Sequence, residues 1–184
     1  DVTHLDKKQL YDYRENVQII FQDPYSSLNP RYNIAKTIME PLQISKRFKS
    51  KEEVRAEADR IMDLVGIEKR LRGAYPHELD GGRRQRVGIG RALALNPKFI
   101  VCDEPVSALD VSIQAQVLNL LMDLQDKQGL TYMFVTHDLS VVRHISDNIC
   151  VMYLGQLVET CPSKKLFAKP LHPYTKALLS AIPS

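Results

Sequence analysis

The sequence predicts an α/β fold, in which parallel strands form one layer and a segment of helices is inserted between two parts of the sheet. Three observations predict it. Short apolar runs that end in polar residues alternate with amphipathic segments through the second half of the chain. The stretch from Ile34 to Leu79 has helical periodicity and no strand pattern. The 184 residues, 44% hydrophobic and 26% charged, suit a globular domain with its own core.

Charge and composition exclude several classes of function. The net charge of +3 is small and the basic residues are interleaved with acids, so the sequence has no basic face for nucleic acid. No apolar run approaches the roughly 20 residues that span a bilayer, and the first residues do not resemble a signal peptide, so we expect any membrane role to be peripheral. Cys102, Cys150 and Cys161 are odd in number and lack metal-ligand spacing, which predicts buried or inert thiols.

The first predicted elements are a strand, a loop and a helix. NVQIIF at 16–21 is a partly β-branched apolar run, which predicts a strand, and the Pro-, Ser- and Asn-rich QDPYSSLNPR at 22–31 predicts a loop. Ser50 and Glu53 have the spacing of a capping box, and Gly66 is a C-terminal stop signal. Between these signals, four apolar residues recur at helical spacing: Val54, Ala58, Ile61 and Val65.

A second helix and a buried strand follow. Asp80 precedes a run of helix formers that ends at the Asn-Pro pair at 96–97. The apolar residues of this run are Val87, Ala92 and Leu95. FIVC at 99–102 is a continuous apolar run followed by Asp103 and Glu104, which is typical of a strand that is buried on both faces and ends at a polar site.

The remaining predicted elements are two helices, a strand and a hairpin. Asp110 can cap a helix that Gly129 closes, with an ordinary core stripe formed by Ile113, Val117, Leu120, Leu121 and Leu124. LTYMFVT at 130–136 is interpreted as another buried strand, and LSVVRHI at 139–145 as a short helix. ICVMYL and QLVET flank Gly155, which predicts a β-hairpin.

The polar motifs come in a fixed order. Gln22 follows a strand, LDGGRRQR begins a helix, and FIVCDEP, SALD and VTHD come after it. This succession resembles, over nearly the whole chain, the nucleotide-binding domain of ATP-binding cassette (ABC) transporters. The resemblance implies a partial P-loop NTPase core, the ABC cassette, with an inserted helical subdomain. FQDPYSSLNPR and HPYTKALLSAIP further resemble the ATPase subunits of bacterial oligopeptide, dipeptide and nickel importers.

The resemblance gives each motif a role, with ATP and Mg²⁺ as the cofactors. Asp103 resembles the Walker B acid, a hard oxygen ligand for Mg²⁺. Glu104 resembles the catalytic glutamate, which polarises the attacking water. His137 resembles the histidine that donates toward the γ-phosphate, and Gln22 the Q-loop glutamine that reaches the metal and the water. Asp110 ends SALD, which is similar to the D-loop that crosses the dimer interface.

Each of these residues also has a plain structural interpretation. The two acids at 103 and 104 can cap the turn after the strand, and His137 can be a solvated loop residue. Gln22 alone is an ordinary surface glutamine, and Asp110 needs no role beyond capping a helix. The order of the motifs along the chain favours the functional interpretation over these alternatives.

LDGGRRQR at 79–86 departs from the family pattern, which is Leu-Ser-Gly-Gly-Gln. In the family, this helix N-terminus binds the γ-phosphate of ATP held by the opposite subunit, and Gly81 and Gly82 would let the backbone approach it. Here Asp80 replaces the serine and Arg83 replaces the glutamine. The alternative is that Asp80 caps its own helix and satisfies the same N–H groups.

The two interpretations of Asp80 compete for the same donors. A carboxylate about 4 Å from a phosphate charge costs up to about 4 kcal/mol at an effective dielectric near 20, partly offset by Arg83 and by screening. We therefore expect a signature loop that is weakened as a nucleotide clamp, by about one to three orders of magnitude in the rate at its composite site.

The family's phosphate-binding loop, G-x-x-x-x-G-K-[ST] (Walker A), has no match in the sequence. Without that loop and its lysine, Asp103 and Glu104 have no anchored nucleotide to act on, so we expect the chain alone to be inactive. The sequence is compatible with a fragment of a longer subunit or a shortened homologue. Either way, we expect an unpaired position in the sheet and uncovered apolar surface.

The motifs divide the chain into four predicted parts. Residues 1–33 are part of the ATPase core with the Q-loop, and 34–80 are the helical subdomain. Residues 81–161 are ATPase core with Walker B, the D-loop and the histidine loop, and 162–184 are a C-terminal extension. The helical insert and the loop after Gln22 are the expected contacts with membrane subunits.

The resemblance implies an ATPase subunit of an importer at the cytoplasmic face of the cell membrane. Its implied partners are a second ABC ATPase subunit, identical or paralogous, two transmembrane permease subunits and, indirectly, an extracytoplasmic solute-binding protein. One alternative is a nonhydrolytic cassette subunit that pairs with an intact ATPase. Another is a cassette ATPase of translation or DNA maintenance, which predicts a tandem cassette, a coiled-coil insertion or a basic face, and none of these is present in the sequence.

Overall fold

The computed structural model describes residues 2–45 and 47–181. These residues form two compact units, and the chain passes from the first to the second between Val135 and Thr136. Within the described ranges, no helix is long and apolar enough to cross a bilayer. The prediction from the sequence that Ile182, Pro183 and Ser184 belong to a C-terminal extension lies outside the described residues.

The first unit is built from six helices and three strands among its described residues. The helices are Lys7–Asn16 (α1), Pro24–Ser27 (α2), Ile34–Ser45 (α3), Lys51–Leu64 (α4), Gly81–Leu93 (α5) and Val111–Gln128 (α6), and the strands are Val17–Ile20 (β1), Phe99–Asp103 (β2) and Thr131–Val135 (β3). Two short 3₁₀ turns, Lys69–Gly73 and Pro76–Glu78, connect α4 to α5. The mixture of helices and strands confirms the predicted α/β class.

The three strands form a parallel sheet with β2 in the centre. Its order is β1-β2-β3, and the register places Ile19 beside Val101 and Val101 beside Met133. Ile100 and Cys102 are fully buried on one face of β2. Because parallel strands need crossover connections, the helices that join β1 to β2 and β2 to β3 lie outside the sheet plane. The carboxyl ends of all three strands therefore meet at one edge.

The prediction that β3 is a buried strand was wrong. Alternate residues of β3 are exposed, with 52% of Met133 and 44% of Val135 accessible to solvent. Ile19 on β1 belongs to the same face and is 40% exposed. In the part of the chain that the structure describes, β3 pairs with β2 alone. Among the described residues, this face of the sheet is thus apolar and partly exposed.

The insert between β1 and β2 is helical, as its periodicity predicted. α3, α4 and α5 pack against one another, and a Cβ added at Gly90 of α5 would lie 3.2 Å from Ile61 of α4. The Ser50 hydroxyl caps α4 by accepting from the Glu53 N–H at 3.1 Å. The Glu53 carboxylate accepts instead from the Lys49 N–H, one residue earlier than a capping box requires. The predicted division at 33/34 and 80/81 stays a prediction.

Two elements of the first unit were not predicted. α1 begins with a complete capping box, in which Asp6 and Gln9 exchange hydrogen bonds of 2.8 and 3.0 Å. The Asp-x-x-Gln spacing was its available signal. α2 is a single turn within the predicted loop at 22–31, and Asp23 caps it by accepting from the Tyr25 N–H at 2.8 Å.

The described residues of the second unit form the predicted hairpin, with strands Asn148–Tyr153 (β4) and Gln156–Pro162 (β5), and the helices Leu139–Ile145 (α7), Ser163–Ala168 (α8) and Pro173–Ser180 (α9). Its strands are antiparallel. Leu154 and Gly155 form the two-residue turn, and both have positive φ, 47° and 77°. Such a turn matches the right-handed twist of a hairpin, which explains the glycine. Ile149, Val151 and Leu166 form the core of this unit.

Hydrogen bonds and ring stacking hold the HPYT stretch in the second unit. The Glu159 carboxylate of β5 accepts hydrogen bonds from the N–H groups of Leu171 and His172, at 2.9 and 3.0 Å. His172 Nδ1 then caps α9 by accepting from the Tyr174 N–H at 3.1 Å. The Tyr174 ring packs on Tyr153, with 4.4 Å between centroids. The stretch is therefore tied to both strands of the hairpin.

The thiols are free in the described residues, as predicted. Burial raises the pKa of the Cys102 thiol to about 12, so this cysteine is unreactive at neutral pH. Cys161 is half-buried, and Cys150 is exposed on β4. The expectation of inert thiols thus holds for Cys102, whereas Cys150 is open to solvent.

Candidate functional site

The carboxyl edge of the sheet brings together two residues that the sequence singled out. Gln22 lies two residues after β1, and Glu104 directly follows β2. The Gln22 side-chain nitrogen donates a hydrogen bond of 2.8 Å to the Glu104 carboxylate. Because β1 and β2 are parallel neighbours, their following residues are brought to the same edge. The amide oxygen of Gln22 takes no part in this bond and is a hard ligand.

Glu104 has an unusual backbone. Its φ is +43°, a left-handed conformation that a residue with a Cβ rarely adopts. The Glu104 N–H donates to the Val135 carbonyl at 2.8 Å, and its carbonyl accepts from the Ser107 hydroxyl at 3.1 Å. These bonds hold the residue at the end of the β2–β3 ladder. Backbone strain that neighbouring contacts hold in place is common at functional sites.

Asp103 is the last residue of β2 and is half-buried. Among the described residues, no three His, Cys, Asp or Glu side chains are placed to hold a metal ion by themselves. The Asp103 carboxylate and the Gln22 amide oxygen are both hard oxygen donors, the type that Mg²⁺ takes beside several waters and phosphate oxygens. The donor set of Asp103 and Gln22 therefore fits Mg²⁺ bound together with a nucleotide.

His137 belongs to the second unit. It follows β3 by two residues along the chain and is exposed. Asp138, the next residue, caps α7 by accepting from the Ser140 N–H at 2.8 Å. This cap fixes where the helix begins and leaves His137 in the loop ahead of it. The role that the resemblance implies for His137 stays a prediction.

Asp80 caps α5, which is the structural alternative that its sequence left open. Its carboxylate accepts from the Arg83 N–H at 2.7 Å and from the Arg83 guanidinium at 3.1 Å. The same guanidinium donates to Glu68 at 3.3 Å. Arg70 beside Glu68, assisted by Arg83, holds the pKa of the Glu68 carboxyl below its ordinary value. Two carboxylates thus share Arg83 at the mouth of the LDGGRRQR loop.

The two glycines of LDGGRRQR are needed for packing. A Cβ added at Gly82 would lie 2.5 Å from the Ile113 side chain, and one at Gly81 would lie 3.1 Å from Leu109. The start of α5 therefore lies against the SALD loop and the first turn of α6. Asp110 caps α6 by accepting from the Ile113 N–H at 3.1 Å. The capping role predicted for Asp110 is confirmed, while its role at a dimer interface stays a prediction.

An open cleft of about 280 Å³ lies beside this loop. It is lined by Gly66, Glu68, Asp80, Gly82, Arg83, Arg86, Ile113 and Gln116. Charged groups of both signs face it. An anion entering the cleft meets Asp80 and Glu68 as well as the arginines, so it competes with two carboxylates for Arg83.

Sequence reasoning missed Glu68 as a neighbour of the loop. It lies 15 residues before Arg83, after the C-terminus of α4, and only the packing of α4 on α5 brings the two together. No spacing rule links them. The contact between Gly82 and Ile113 was also missed, although the paired glycines and the Asp110 cap were its visible signals.

Two protein families match the chain. The ABC transporter family matches residues 1–107, which include Gln22, LDGGRRQR, Asp103 and Glu104. The family described as oligopeptide/dipeptide transporter, C-terminal region, matches residues 158–184. The first segment also contains FQDPYSSLNPR and the second contains HPYTKALLSAIP, whereas VTHD lies outside both.

Several curated relatives are about half identical to the chain. The oligopeptide transport ATP-binding protein OppF of Bacillus subtilis is 55% identical over 96% of this chain and 58% of its own length. The dipeptide transport ATP-binding protein DppF of Lactococcus lactis is 50% identical over 100% of this chain and 59% of its own. The dipeptide transport ATP-binding protein DppF of Haemophilus influenzae is 53% identical over 92% of this chain and 52% of its own length. The chain thus spans a little over half the length of these relatives.

Two solved structures have the same fold. CbiO1 from Clostridium perfringens, part of the ABC transporter complex cbiONQ, aligns with a TM-score of 0.79 at 28% identity, over 89% of this chain and 64% of its own. The ATP-binding cassette MJ0796, a dimer in a post-hydrolysis state with ADP and Pi, aligns with a TM-score of 0.72 at 32% identity, over 86% of this chain and 68% of its own. Both confirm the predicted P-loop NTPase core. Fold, motif order and family match agree: the chain belongs to the ABC transporter family.

Proposed function

We propose that the chain is part of the ATP-hydrolysing subunit of an importer for oligopeptides or dipeptides. The hydrogen bond between Gln22 and Glu104 carries the proposal, because it joins the glutamine and the acid that the family's chemistry requires at one sheet edge. The names of the similar proteins from B. subtilis and L. lactis favour peptides over nickel as the solute. The proposed location is the cytoplasmic face of the cell membrane.

The candidate site residues have different proposed roles. Glu104 orients and polarises the attacking water, and the Gln22 amide holds the Glu104 carboxylate in place. Asp103 and the Gln22 oxygen would hold Mg²⁺, which when bound neutralises charge on the nucleotide phosphates. His137 would donate a hydrogen bond toward the γ-phosphate. ATP would be the nucleotide.

The LDGGRRQR loop would face nucleotide held by a second cassette subunit. Gly81 and Gly82 open the backbone at the start of α5, where N–H groups and the helix dipole favour an anion. Asp80 already accepts the Arg83 N–H there, and Arg83 is shared with Glu68. We expect this loop to bind the partner's phosphate weakly until Asp80 and Arg83 rearrange.

A second cleft is the proposed contact with the permease subunits. It measures about 230 Å³ and lies between β1, α3 and α5. Apolar side chains line much of it, and Phe21 and Ile44 are 44% and 64% exposed. Exposed apolar side chains around a groove are typical of a protein–protein contact. Phe21 directly precedes Gln22, so a partner seated here touches the segment that leads to the site.

The test uses the subunit that carries this sequence, assembled with its permease subunits in lipid nanodiscs. We expect Mg-ATP hydrolysis that peptide-loaded solute-binding protein stimulates. Glu104→Gln is expected to lower kcat by at least about a hundredfold while nucleotide still binds. A wild-type assembly that binds peptide-loaded protein and hydrolyses no ATP would overturn the proposal.

The 184-residue chain alone is expected not to bind Mg-ATP, because it has no G-x-x-x-x-G-K-[ST] loop. Calorimetric titration at cytosolic salt measures this directly. Micromolar binding would show that another part of this backbone holds the phosphates.

One observation favours a second candidate, a nonhydrolytic cassette subunit that pairs with an intact ATPase. Asp80 and Arg83 satisfy each other at the signature loop, as in a site that has no nucleotide to bind. The joined Gln22 and Glu104 argue against this candidate, since a subunit without hydrolysis has no need of them. The Glu104→Gln experiment separates the two, because hydrolysis in the assembly is unchanged if the active site belongs to the partner.

A further inference from the structure

The one-turn helix α2 is fastened to α5 by a half-buried arginine. The Arg91 guanidinium donates a hydrogen bond of 2.6 Å to the Ser27 carbonyl, across 64 residues of sequence. Burial lowers the pKa of Arg91, and the Glu40 carboxylate opposes this shift. A hydrogen bond from a charged donor in a partly desolvated place is among the stronger ones in proteins.

A cation–π pair of exposed Tyr25 and half-buried Arg84 forms a second tie between the same two helices. The Arg84 guanidinium lies over the Tyr25 ring, 5.1 Å from its centroid. Arg84 also donates to the Pro76 carbonyl at 2.9 Å, which fixes the direction of its side chain. Asp23, which caps α2, has its pKa held below the ordinary value by the Tyr25 N–H, with a smaller contribution from Arg84.

The fastened segment begins one residue after Gln22. Asp23 caps α2, and Pro24 and Leu28 are buried, so the segment from Asp23 to Leu28 is anchored near both of its ends. On the other side, Gln22 is joined to Glu104 at the sheet. Gln22 thus lies between two segments. Phe21 and the end of β1 precede it, and the segment that α5 holds follows it.

We propose that Arg84 and Arg91 are positioning residues, which set the reach of Gln22 to Glu104 by holding α2 on α5. The inference rests on the proposed function, since it concerns the same reaction. While α2 is held on α5, the side-chain nitrogen of Gln22 donates to the Glu104 carboxylate. When α2 shifts, Gln22 loses its hydrogen bond to Glu104. The LDGGRRQR loop begins α5, the helix that holds α2.

The pair of Tyr25 and Arg84 carries the test, because Tyr25 is 54% exposed and its truncation leaves the core intact. In the assembled subunit, Tyr25→Ala and Arg84→Gln are each expected to lower kcat about two- to fivefold, the size of an exposed cation–π contact, with KM for Mg-ATP unchanged. Tyr25→Phe and Arg84→Lys keep ring and charge and are expected to retain kcat. The double variant Tyr25→Ala with Arg84→Gln is expected to fall no further than either single change.

A matched pair elsewhere is the control. Arg143 lies over the Phe167 ring at 5.5 Å in the second unit, far along the chain from α2. Arg143→Gln removes the same kind of contact and is expected to leave kcat unchanged. Wild-type kcat in Tyr25→Ala and Arg84→Gln, in an active assembly, would overturn the inference, and so would an equal loss in Arg143→Gln. A wild-type assembly without ATP hydrolysis would instead overturn the proposed function.

Discussion

The side-chain amide of Gln22 donates a 2.8 Å hydrogen bond to the Glu104 carboxylate, across 82 residues of sequence. Gln22→Leu removes the donor at nearly constant volume. In the assembled subunit we expect kcat for ATP hydrolysis to fall about ten- to a hundredfold, because Glu104, the proposed general base, loses the group that orients it. The measurement is steady-state phosphate release. Gln128→Leu, an exposed glutamine at the end of α6, is the control, and an unchanged kcat in Gln22→Leu would contradict the role assigned to this bond.

Asp80→Ser is expected to raise the ATP hydrolysis rate of the assembled dimer by about one to three orders of magnitude. The serine still caps α5 by accepting the Arg83 N–H, and it removes a negative charge from the mouth of the loop. Arg83 then keeps Glu68 as its carboxylate partner. Asp80→Asn is the second variant to measure, since it removes the negative charge and keeps the shape of the side chain. Rates equal to wild type in both variants would mean that Asp80 does not weaken the loop.

Gly82→Ala is expected to destabilise the fold by about 1–3 kcal/mol, because its Cβ would lie 2.5 Å from Ile113 in α6. Thermal unfolding measures the change. Gly88→Ala on the same helix has no heavy atom within 4 Å of the new Cβ and is expected to stabilise slightly. In an Ile113→Ala background, Gly82→Ala is expected to cost less. Equal costs with and without Ile113 would show that the close approach of the two helices does not require glycine.

Protonation of Asp110 at low pH is expected to lower the stability of the folded chain. A side-chain hydrogen bond from Ser112 and the Ile113 N–H hold the pKa of Asp110 below its ordinary value. A carboxyl whose pKa is lower in the folded state stabilises the fold above its unfolded pKa of about 3.9, and this contribution is lost as pH falls through the folded pKa. Asp110→Asn keeps a cap that does not titrate, so we expect a shallower loss of melting temperature below pH 4. A loss as steep as in wild type would assign the acid sensitivity to other groups.

Local signals in the sequence account for most of the elements. The β-branched run before Gln22, the strand before Asp103, the Ser50 and Asp110 caps and the turn at Gly155 each depend on neighbours within a few residues. Such signals are recorded in the local pattern of apolar and turn residues. The same holds for the candidate site at the sheet edge, since residues that follow parallel strands meet at one edge whatever covers the sheet.

What the sequence could not predict depends on contacts between distant segments. LTYMFVT is mostly apolar, yet Met133 and Val135 are exposed, because apolar periodicity cannot tell which neighbour covers a strand. The partnership of Glu68 with Arg83 arises from the packing of α4 on α5. From the sequence, Asp80 could cap its own helix or leave the N–H groups open to a phosphate. The 2.7 Å hydrogen bond from the Arg83 N–H to the Asp80 carboxylate shows that it caps the helix in this structure.

The left-handed backbone of Glu104 lowers the stability of the fold at a residue that is proposed to act in catalysis. A φ of +43° costs a residue with a side chain on the order of 1–3 kcal/mol, and glycine avoids most of that cost. Selection for heat resistance alone is therefore expected to favour Glu104→Gly, which discards the one carboxylate that Gln22 holds. Under the proposed role of Glu104, this glutamate is retained for its carboxylate at a cost in melting temperature.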